Sequence, residues 1–492
     1  MEVIFPYDSC NKDKGGKQVG YIEGMDRRQS VAFPSYLDDY VTEDNPVRFV
    51  DAFVEGLDLA ALGFERSEPQ DRGRPAYRPG LLLRLYVYGY LNNIRSSRKL
   101  EREANRNIEL MWLMERLAPD HKTIANFRKD NLEPIKSTCR QFTTVCKKMN
   151  LFGGELVAVD GSKFKADNSR ERNFDKKKLE KLIRLADERI DDYLAELDEA
   201  DKREDETETN KPTAQELKEK IDELKKRKKR HEQRQKKLAE GGETQISETD
   251  PDARLMKVKQ GREVSYNVQI AVDSLHKLVV DHEVTNEGDD HNQLANMACK
   301  AKQTLGVEQL DAVVDKGYYD SDEIRKCEEN EIAVYVKRRT AGRQHGVFSS
   351  EEFTYIAEQD VYRCPAGEQL RYRGKGKEKG RGVKYYIASA CTGCVLKSKC
   401  TRAAFRQIKR LMDAEVLERV AARVRAGPKK LQLRKELVEH PFGTIKRAMG
   451  QGYFLMRGKQ KVSTEMSITI MVYNMKRVMN IMGIEKMIEA LG

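Results

Sequence analysis

Two stretches pair an apolar run with an acid: Leu156-Val157-Ala158-Val159 ends in Asp160, and Leu310 to Asp315 repeats the pattern. Short runs of this kind read as buried strands, so each would deliver a carboxylate to a strand tip. Tips of one sheet converge however far apart their residues lie in sequence. Two adjacent carboxylates repel, and one would stay protonated unless a cation held both ionised. Hard oxygen ligands suit Mg²⁺ or Mn²⁺. Two ions roughly 4 Å apart, one activating an attacking oxygen and one steadying the leaving oxygen, need a third acid. Glu439 is the candidate. Lys446 falls seven positions later, about two helical turns, so the two should share a face, a carboxylate for metal beside an ammonium for phosphate. Glu436 lies near enough to compete, and Pro441 fits a helix only in its first turn or with a kink.

Other segments would position these acids. Val264 to Val272 alternates, and Leu278 to Val284 follows after Asp273-Ser274, which reads as a hairpin. Asp290-His291-Asn292-Gln293 is read as the cap of a helix running to about Leu305, and Ile332 to Val336 as a fifth strand after another helix. This order implies a mixed sheet flanked by helices. Residues 174 to 240 interrupt it. Leu179, Leu182, Ala186, Ile190, Tyr193 and Leu197 line one face of a long helix, and a capping box at Thr213 to Glu216 opens a second, seamed by Leu217, Ile221 and Leu224. The pair reads as an inserted coiled-coil hairpin, whose Lys225 to Arg230 run is more often a solvated face than a phosphate contact.

From Pro34 to Asn150 the pattern is helical. Leu81, Leu82, Leu85, Val87 and Tyr88 mark one face, Ser97 is placed to cap a helix with Glu101 in its first turn, and His121 to Arg128 forms another after Pro119-Asp120. Exposed basic positions are expected at Arg95, Arg98, Lys99, Arg102, Lys122, Arg128 and Lys129. They are compatible with a helix-turn-helix reader of DNA, of which Arg98, Lys122 and Arg128 are the named contacts, but an ordinary helical bundle with a solvated charged face is the favoured reading of the residues alone. Lys316, Tyr318 and Tyr319 follow Asp315; DNA contact is one reading, with core packing as good for the tyrosines. His291 and His440 read as structural rather than metal-ligating.

Cys364, Cys391, Cys394 and Cys400 supply four thiols within a basic, Gly-rich segment. Their spacing fits a structural tetrahedral Zn²⁺ knuckle, ranked ahead of a redox pair or unconnected thiols. The remaining cysteines, Cys10, Cys139, Cys146, Cys299 and Cys327, are scattered, which argues against a disulfide framework. The formal net charge of +11 favours an acidic partner such as nucleic acid, although charge alone fits a solubilising surface equally well. No long apolar stretch and no signal-peptide pattern is present, so a cytoplasmic, nucleoid-associated protein without membrane partners is expected.

The blocks Val157-Ala158-Val159-Asp160-Gly161-Ser162-Lys163, Asp311-Ala312-Val313-Val314-Asp315-Lys316-Gly317-Tyr318 and Val438-Glu439-His440-Pro441-Phe442-Gly443-Thr444-Ile445-Lys446 resemble the three acidic blocks of bacterial insertion-sequence DDE transposases. The similarity extends over roughly residues 30 to 480, including Asp250-Pro251-Asp252-Ala253-Arg254 and Met471-Val472-Tyr473-Asn474. It implies an α/β ribonuclease-H-like catalytic domain, divalent metal, cleavage of double-stranded DNA at the element's terminal inverted repeats, and attack of the freed 3′-hydroxyl on target DNA. Asp160, Asp315 and Glu439 would be the metal-binding triad, with Arg434 and Lys446 as backbone-phosphate contacts. Leu431 stands where many relatives carry a tyrosine, which puts a stacking or 5′-strand contact in doubt. A homodimer on DNA is implied because two ends must be joined. The rival readings are a metal-dependent nuclease that cuts without joining and a non-catalytic DNA-binding protein derived from a transposase.

The domain organisation expected is a mobile arm over 1–30, a helical DNA-binding domain over 31–150, and a first part of the catalytic core over 151–173 and 250–340. The coiled-coil hairpin occupies 174–249, the basic cysteine-rich insertion 341–428, and the C-terminal helices of the core 429–492.

Overall fold

The computed structural model of the chain describes residues 36–67, 76–201, 213–338, 347–378 and 380–491. The arm expected over 1–30 lies outside the described residues.

Six helices open the described chain: α1 (Pro46–Glu55), α2 (Pro79–Leu91), α3 (Ser97–Ala104), α4 (Ile108–Leu113), α5 (His121–Asp130) and α6 (Leu132–Lys148). Some of the starts have a side-chain cap close at hand. Asn45 accepts a bond from the Val47 N–H ahead of a proline at N1, and Asp120 accepts from the Lys122 and Thr123 N–H groups. Ser96, not Ser97, is the N-cap of α3, and its side chain makes no capping bond. The stripe expected on α2 is also revised: all thirteen of its residues are buried, because helices pack around its whole circumference.

Two of the basic residues expected at the surface are buried. Arg95 Nη1 donates to the Tyr453 carbonyl at 2.8 Å and lies 3.3 Å from Glu465 Oε1. Arg128 Nη1 donates to the Tyr90 hydroxyl at 3.2 Å, with its guanidinium over the Tyr86 ring. Arg128 is therefore an internal ion and not the DNA contact that its sequence neighbourhood suggests. Arg98, Lys99, Arg102, Lys122 and Lys129 are exposed.

The main sheet is mixed and six-stranded. β1 (Leu156–Lys165) begins it; the short pair β2 (Asn173–Asp175) and β3 (Gln245–Ser247) then brackets α7 (Lys176–Asp201) and α8 (Ala214–Glu240). The capping box at Thr213 and Glu216 is present, and Leu179, Ala186, Ile190, Leu217 and Ile221 are buried along the two packed helices. Within the Lys225 to Arg230 run, Lys228 pairs with Asp187 across the hairpin at 2.6 Å.

β4 (Arg254–Val258), β5 (Gly261–Asp273) and β6 (Val279–Thr285) follow. The thirteen-residue β5 pairs antiparallel with β1 along one edge, while β4 and β6 share its other edge end to end. After α9 (Leu294–Leu305), β7 (Leu310–Val314) pairs parallel to β1; after α10 (Ser321–Glu329), β8 (Ile332–Val336) pairs parallel to β7. The N-terminus of α9 is not capped by the Asp290 to Gln293 side chains, as the sequence suggests. Gln293 is the N-cap without a side-chain bond, and Glu323 of α10 accepts from the Ala295 N–H at 3.0 Å.

The basic segment beyond β8 forms a second, antiparallel sheet in the order β13-β12-β11-β10-β9, where β9 is Thr354–Ile356, β10 Val361–Arg363, β11 Gln369–Glu378, β12 Arg381–Ala388 and β13 Gln407–Leu411. A one-turn helix, α11 (Lys397–Cys400), precedes β13. The chain closes with α12 (Ala414–Ala426), α13 (Pro428–Gly443), α14 (Lys459–Met482) and α15 (Ile484–Glu489).

Alternation along β1 divides the core. Ala158 and Phe164 face the cluster shared with α13, α14 and the N-terminal helices, whereas Val157 and Val159 face α9, α10 and α12. Among the described residues no helix is long and apolar enough to cross a membrane.

Candidate active site

The parallel pairing of β1 with β7 stops at Val159↔Val314, so the next residue of each strand is an aspartate. Asp315 leaves its strand as expected, at the start of a 3₁₀ turn over Lys316–Tyr318. Asp160 is not at a strand tip. β1 runs on to Lys165, paired with β5 and bridged to Tyr453 at its end, and Asp160 is opposite Ile270. The end of β7 opens a notch beside Asp160. Arg434 of α13 enters there, with Nη1 3.0 Å from Asp160 Oδ2 and Nη2 3.7 Å from Asp315 Oδ1. The other Asp160 oxygen accepts from the Gly161 N–H at 2.9 Å. Burial raises the Asp160 carboxyl to about 6, against the lowering pull of Arg434 and of the Gly161 N–H; the charges of Asp290 and Asp315 push the same way as burial.

Asp290 is the acid that the sequence reading missed as a site residue. Its Oδ1 accepts from Asn267 Nδ2 at 2.8 Å and Gln269 Nε2 at 2.7 Å, with Lys163 Nζ 3.6 Å away. Gly161 makes this fit possible, since a Cβ there would lie 2.6 Å from Asp290 Oδ1 and 2.3 Å from Gln269 Nε2. The Tyr318 hydroxyl donates to Gln269 Oε1 and is buried, with its pKa raised well above the usual phenol range. Core packing is therefore the outcome for Tyr318, while Lys316 is exposed. A signal for Asp290 was available in sequence only as a polar cluster after a strand, which capping explained equally well.

Glu439 and Lys446 do not share a setting. Glu439 is 66% exposed and its charged neighbour is Lys435 at 3.9 Å. Lys446 points inward: its ammonium donates to Ser162 Oγ at 2.6 Å and the Lys163 carbonyl at 2.7 Å, above the Phe164 ring. The helix changes between them. Pro441 sits inside α13, well past the first turn, and the backbone continues as a wider π turn over Thr444–Ala448, which rotates Lys446 away from the face that regular helical spacing assigns it. Burial lowers the Lys446 pKa to about 8. Glu436, the competing acid, pairs with Lys277 at 2.6 Å. His440 Nδ1 shares a hydrogen bond with the Tyr473 hydroxyl at 2.9 Å, a structural contact. Among the described residues, no three Asp, Glu, His or Cys side chains stand together at coordination distance. The structure thus joins Asp160, Asp315 and Arg434 and leaves Glu439 outside that contact.

The four cysteines of the second sheet line one small cavity with Pro365, Lys397 and Arg406. Gly367, at φ +90°, closes the turn after Cys364, whose carbonyl accepts the Gly367 N–H at 2.9 Å; the Arg406 N–H donates to Cys391 Sγ at 3.4 Å. Burial raises the Cys400 thiol, with Cys391, Cys364 and Cys394 adding to the shift. All four are free thiols.

Residues 35–130 match a family model described as a transposase domain, and residues 363–479 match one described as a transposase DDE domain. Over these two stretches the chain is similar to transposases, the second of them of the DDE type. The second match spans the cysteines, Arg434, Glu439 and Lys446; the first spans α1 to α5. Asp160, Asp290 and Asp315 lie in the stretch between the two. No curated protein matches the chain. A solved structure, the piggyBac transposase synaptic complex with hairpin DNA, is 7% identical, covering 91% of this chain and 79% of that one at a TM-score of 0.31.

Proposed function

We propose that this protein is a DDE transposase that cuts double-stranded DNA at the terminal inverted repeats of an insertion sequence and transfers the freed 3′ ends into target DNA, using divalent cations at Asp160 and Asp315. One observation carries the reading: two acids far apart in sequence meet in a notch of the sheet, and a guanidinium, Arg434, supplies positive charge between them. A half-buried carboxylate pair that already draws in a cation fits Mg²⁺ or Mn²⁺, whose preferred donors are carboxylate oxygens. Bound there, such ions activate the attacking oxygen and steady the leaving one.

The protein's own groups have separable tasks in this reading. Asp160 and Asp315 hold the cations, and Glu439, exposed on the helix that carries Arg434, completes the ligand set by the family pattern. Arg434 and Lys446 bind backbone phosphate, and Arg98, Lys122 and Lys316 offer exposed positive charge to DNA. The strand order β1, β5, β6, then β7 and β8 after intervening helices supports a ribonuclease-H-like catalytic domain, and the four-thiol cavity supports structural Zn²⁺ by its donor set. Two copies on DNA, each taking one end, in the nucleoid-containing cytoplasm, complete the proposal. Incubation of labelled end DNA with Mg²⁺ tests it: Asp315→Asn should keep DNA binding and lose nicking, because the amide retains shape without charge. Strand transfer of pre-cut ends distinguishes a transposase from a nuclease that only cuts. Nicking by Asp315→Asn at the wild-type rate would end this reading.

A further inference from the structure

Asp290 is not one of the acids of the three sequence blocks, yet it is the best prepared of the carboxylates around the notch. Its two oxygens have different settings. Oδ1 is fixed by two side-chain amides, from Asn267 and Gln269, on neighbouring buried positions of one face of β5. Among the described residues Oδ2 has no hydrogen-bond partner, and it faces the turn that follows Asp315, where a Cβ on Gly317 would lie 3.9 Å from it. A carboxylate that is anchored through one oxygen and leaves the other free is oriented at no further entropic cost, which is how supporting amides commonly prepare an acid for a cation.

A second observation is independent of the acids. Asn267 is fully buried, and with its amide nitrogen committed to Asp290, its Oδ1 is without a hydrogen-bond partner among the described residues. That oxygen lies 3.0 Å from the place of a Cβ on Gly161, next to Asp160. Leaving a buried amide oxygen unpaired is costly, and a cation or its bound water would offset that cost. The charge of Asp290 also bears on Asp160, ahead of that of Asp315. Lys163, 3.6 Å from Asp290 Oδ1, only partly neutralises this group of acids.

We propose that Asp290 is a cation ligand of this site, supplying Oδ2 to the divalent ion held by Asp160 and Asp315, with Asn267 and Gln269 as positioning residues. The inference rests on the metal-dependent reading above. It also accounts for Gly161, since any side chain there would displace the Asn267-Gln269-Asp290 group.

Mn²⁺ titrated into the full-length protein without DNA, with bound ion followed by water-proton relaxation, tests it on wild type, Asp290→Asn and Asp160→Asn. The asparagine at 290 can still accept both amide bonds, so its melting temperature without Mn²⁺ should stay close to wild type while Mn²⁺ affinity falls tenfold or more. Wild-type affinity in Asp290→Asn beside lost affinity in Asp160→Asn overturns the inference and leaves the metal-dependent reading standing. Unchanged affinity in both overturns both. Should Asp290→Asn fail to fold, Fe²⁺ and ascorbate applied to the wild-type protein give a second measure. Backbone cutting beside Asp160, Asp315 and within 288–292 supports the ligand, and cutting at the first two alone overturns it.

Discussion

The guanidinium of Arg434 lies 3.0 Å from the carboxylate of Asp160, and its second nitrogen stands 3.7 Å from Asp315. Asp160 would be poorly tolerated as an anion without it, because burial and two neighbouring acids all push its pKa upward. In the proposed reaction the same positive charge that steadies the acids would meet phosphate once cations replaced it.

Arg434→Gln should therefore make stability depend on divalent metal. Both side chains of the pair are about a fifth exposed, so the loss without metal should be modest, about 1–2 kcal/mol. Saturating Mg²⁺ should recover most of it, and should stabilise wild type less. Urea unfolding with and without Mg²⁺ measures both; equal gains in the two proteins would show that the guanidinium is not standing in for a cation.

Lys446 leads to a pH prediction for the reaction. Burial above Phe164 lowers its pKa to about 8, so the ammonium that would hold phosphate is lost as pH rises through that value. Nicking should decline on the alkaline side of about 8, and Lys446→Arg, which stays protonated, should move that decline upward by at least a unit. A pH–rate profile identical in the two proteins would remove Lys446 from the phosphate contact.

The sequence made the sheet legible and left much of the site hidden, for reasons visible in particular residues. Apolar runs at Leu156 and Leu310 read as buried strands, and the parallel register sets the acid that follows each of them side by side. Asp290 was opaque because its meaning lies in Asn267 and Gln269, which reach it only across the folded hairpin. Lys446 was misplaced because regular helical spacing cannot foresee a π turn. The second sheet escaped notice since β11, with Arg371, Arg373, Lys375 and Lys377, lacks the apolar alternation that marks a strand. Arg128 looked exposed because helical periodicity shows a polar position without showing which elements will cover it.

The buried ion cluster around Glu465 should be worth far more than any surface pair. Glu465 is 1% exposed, accepts from the Leu455 and Met456 N–H groups, and faces Arg95. Glu465→Ala leaves Arg95 and Arg128 buried without their counter-charge, which should cost about 3–5 kcal/mol. Lys122→Ala on exposed α5 should stay within about 0.5 kcal/mol of wild type. Denaturant midpoints decide; similar losses would mean that the N-terminal helices are not fastened to α14 through this cluster.

His282 should govern part of the acid limb of stability. It shares a hydrogen bond with Ser467 at 2.8 Å, and burial lowers its pKa to about 4, with Lys300, Lys136 and Arg140 lowering it further against the raising effect of Asp281. In the unfolded chain its pKa is about 6.5, so below that value the unfolded state takes up a proton that the folded state refuses. The stabilising contribution is complete above about 6.5 and is lost as pH falls towards 4. Partial solvent access limits the loss to about 2 kcal/mol rather than the full value of the shift. His282→Gln can keep a bond to Ser467 but cannot titrate, so its unfolding free energy should fall by about 2 kcal/mol less than that of wild type between pH 7 and 4. Parallel curves for the two proteins over that range would show that protonation elsewhere sets the acid limb.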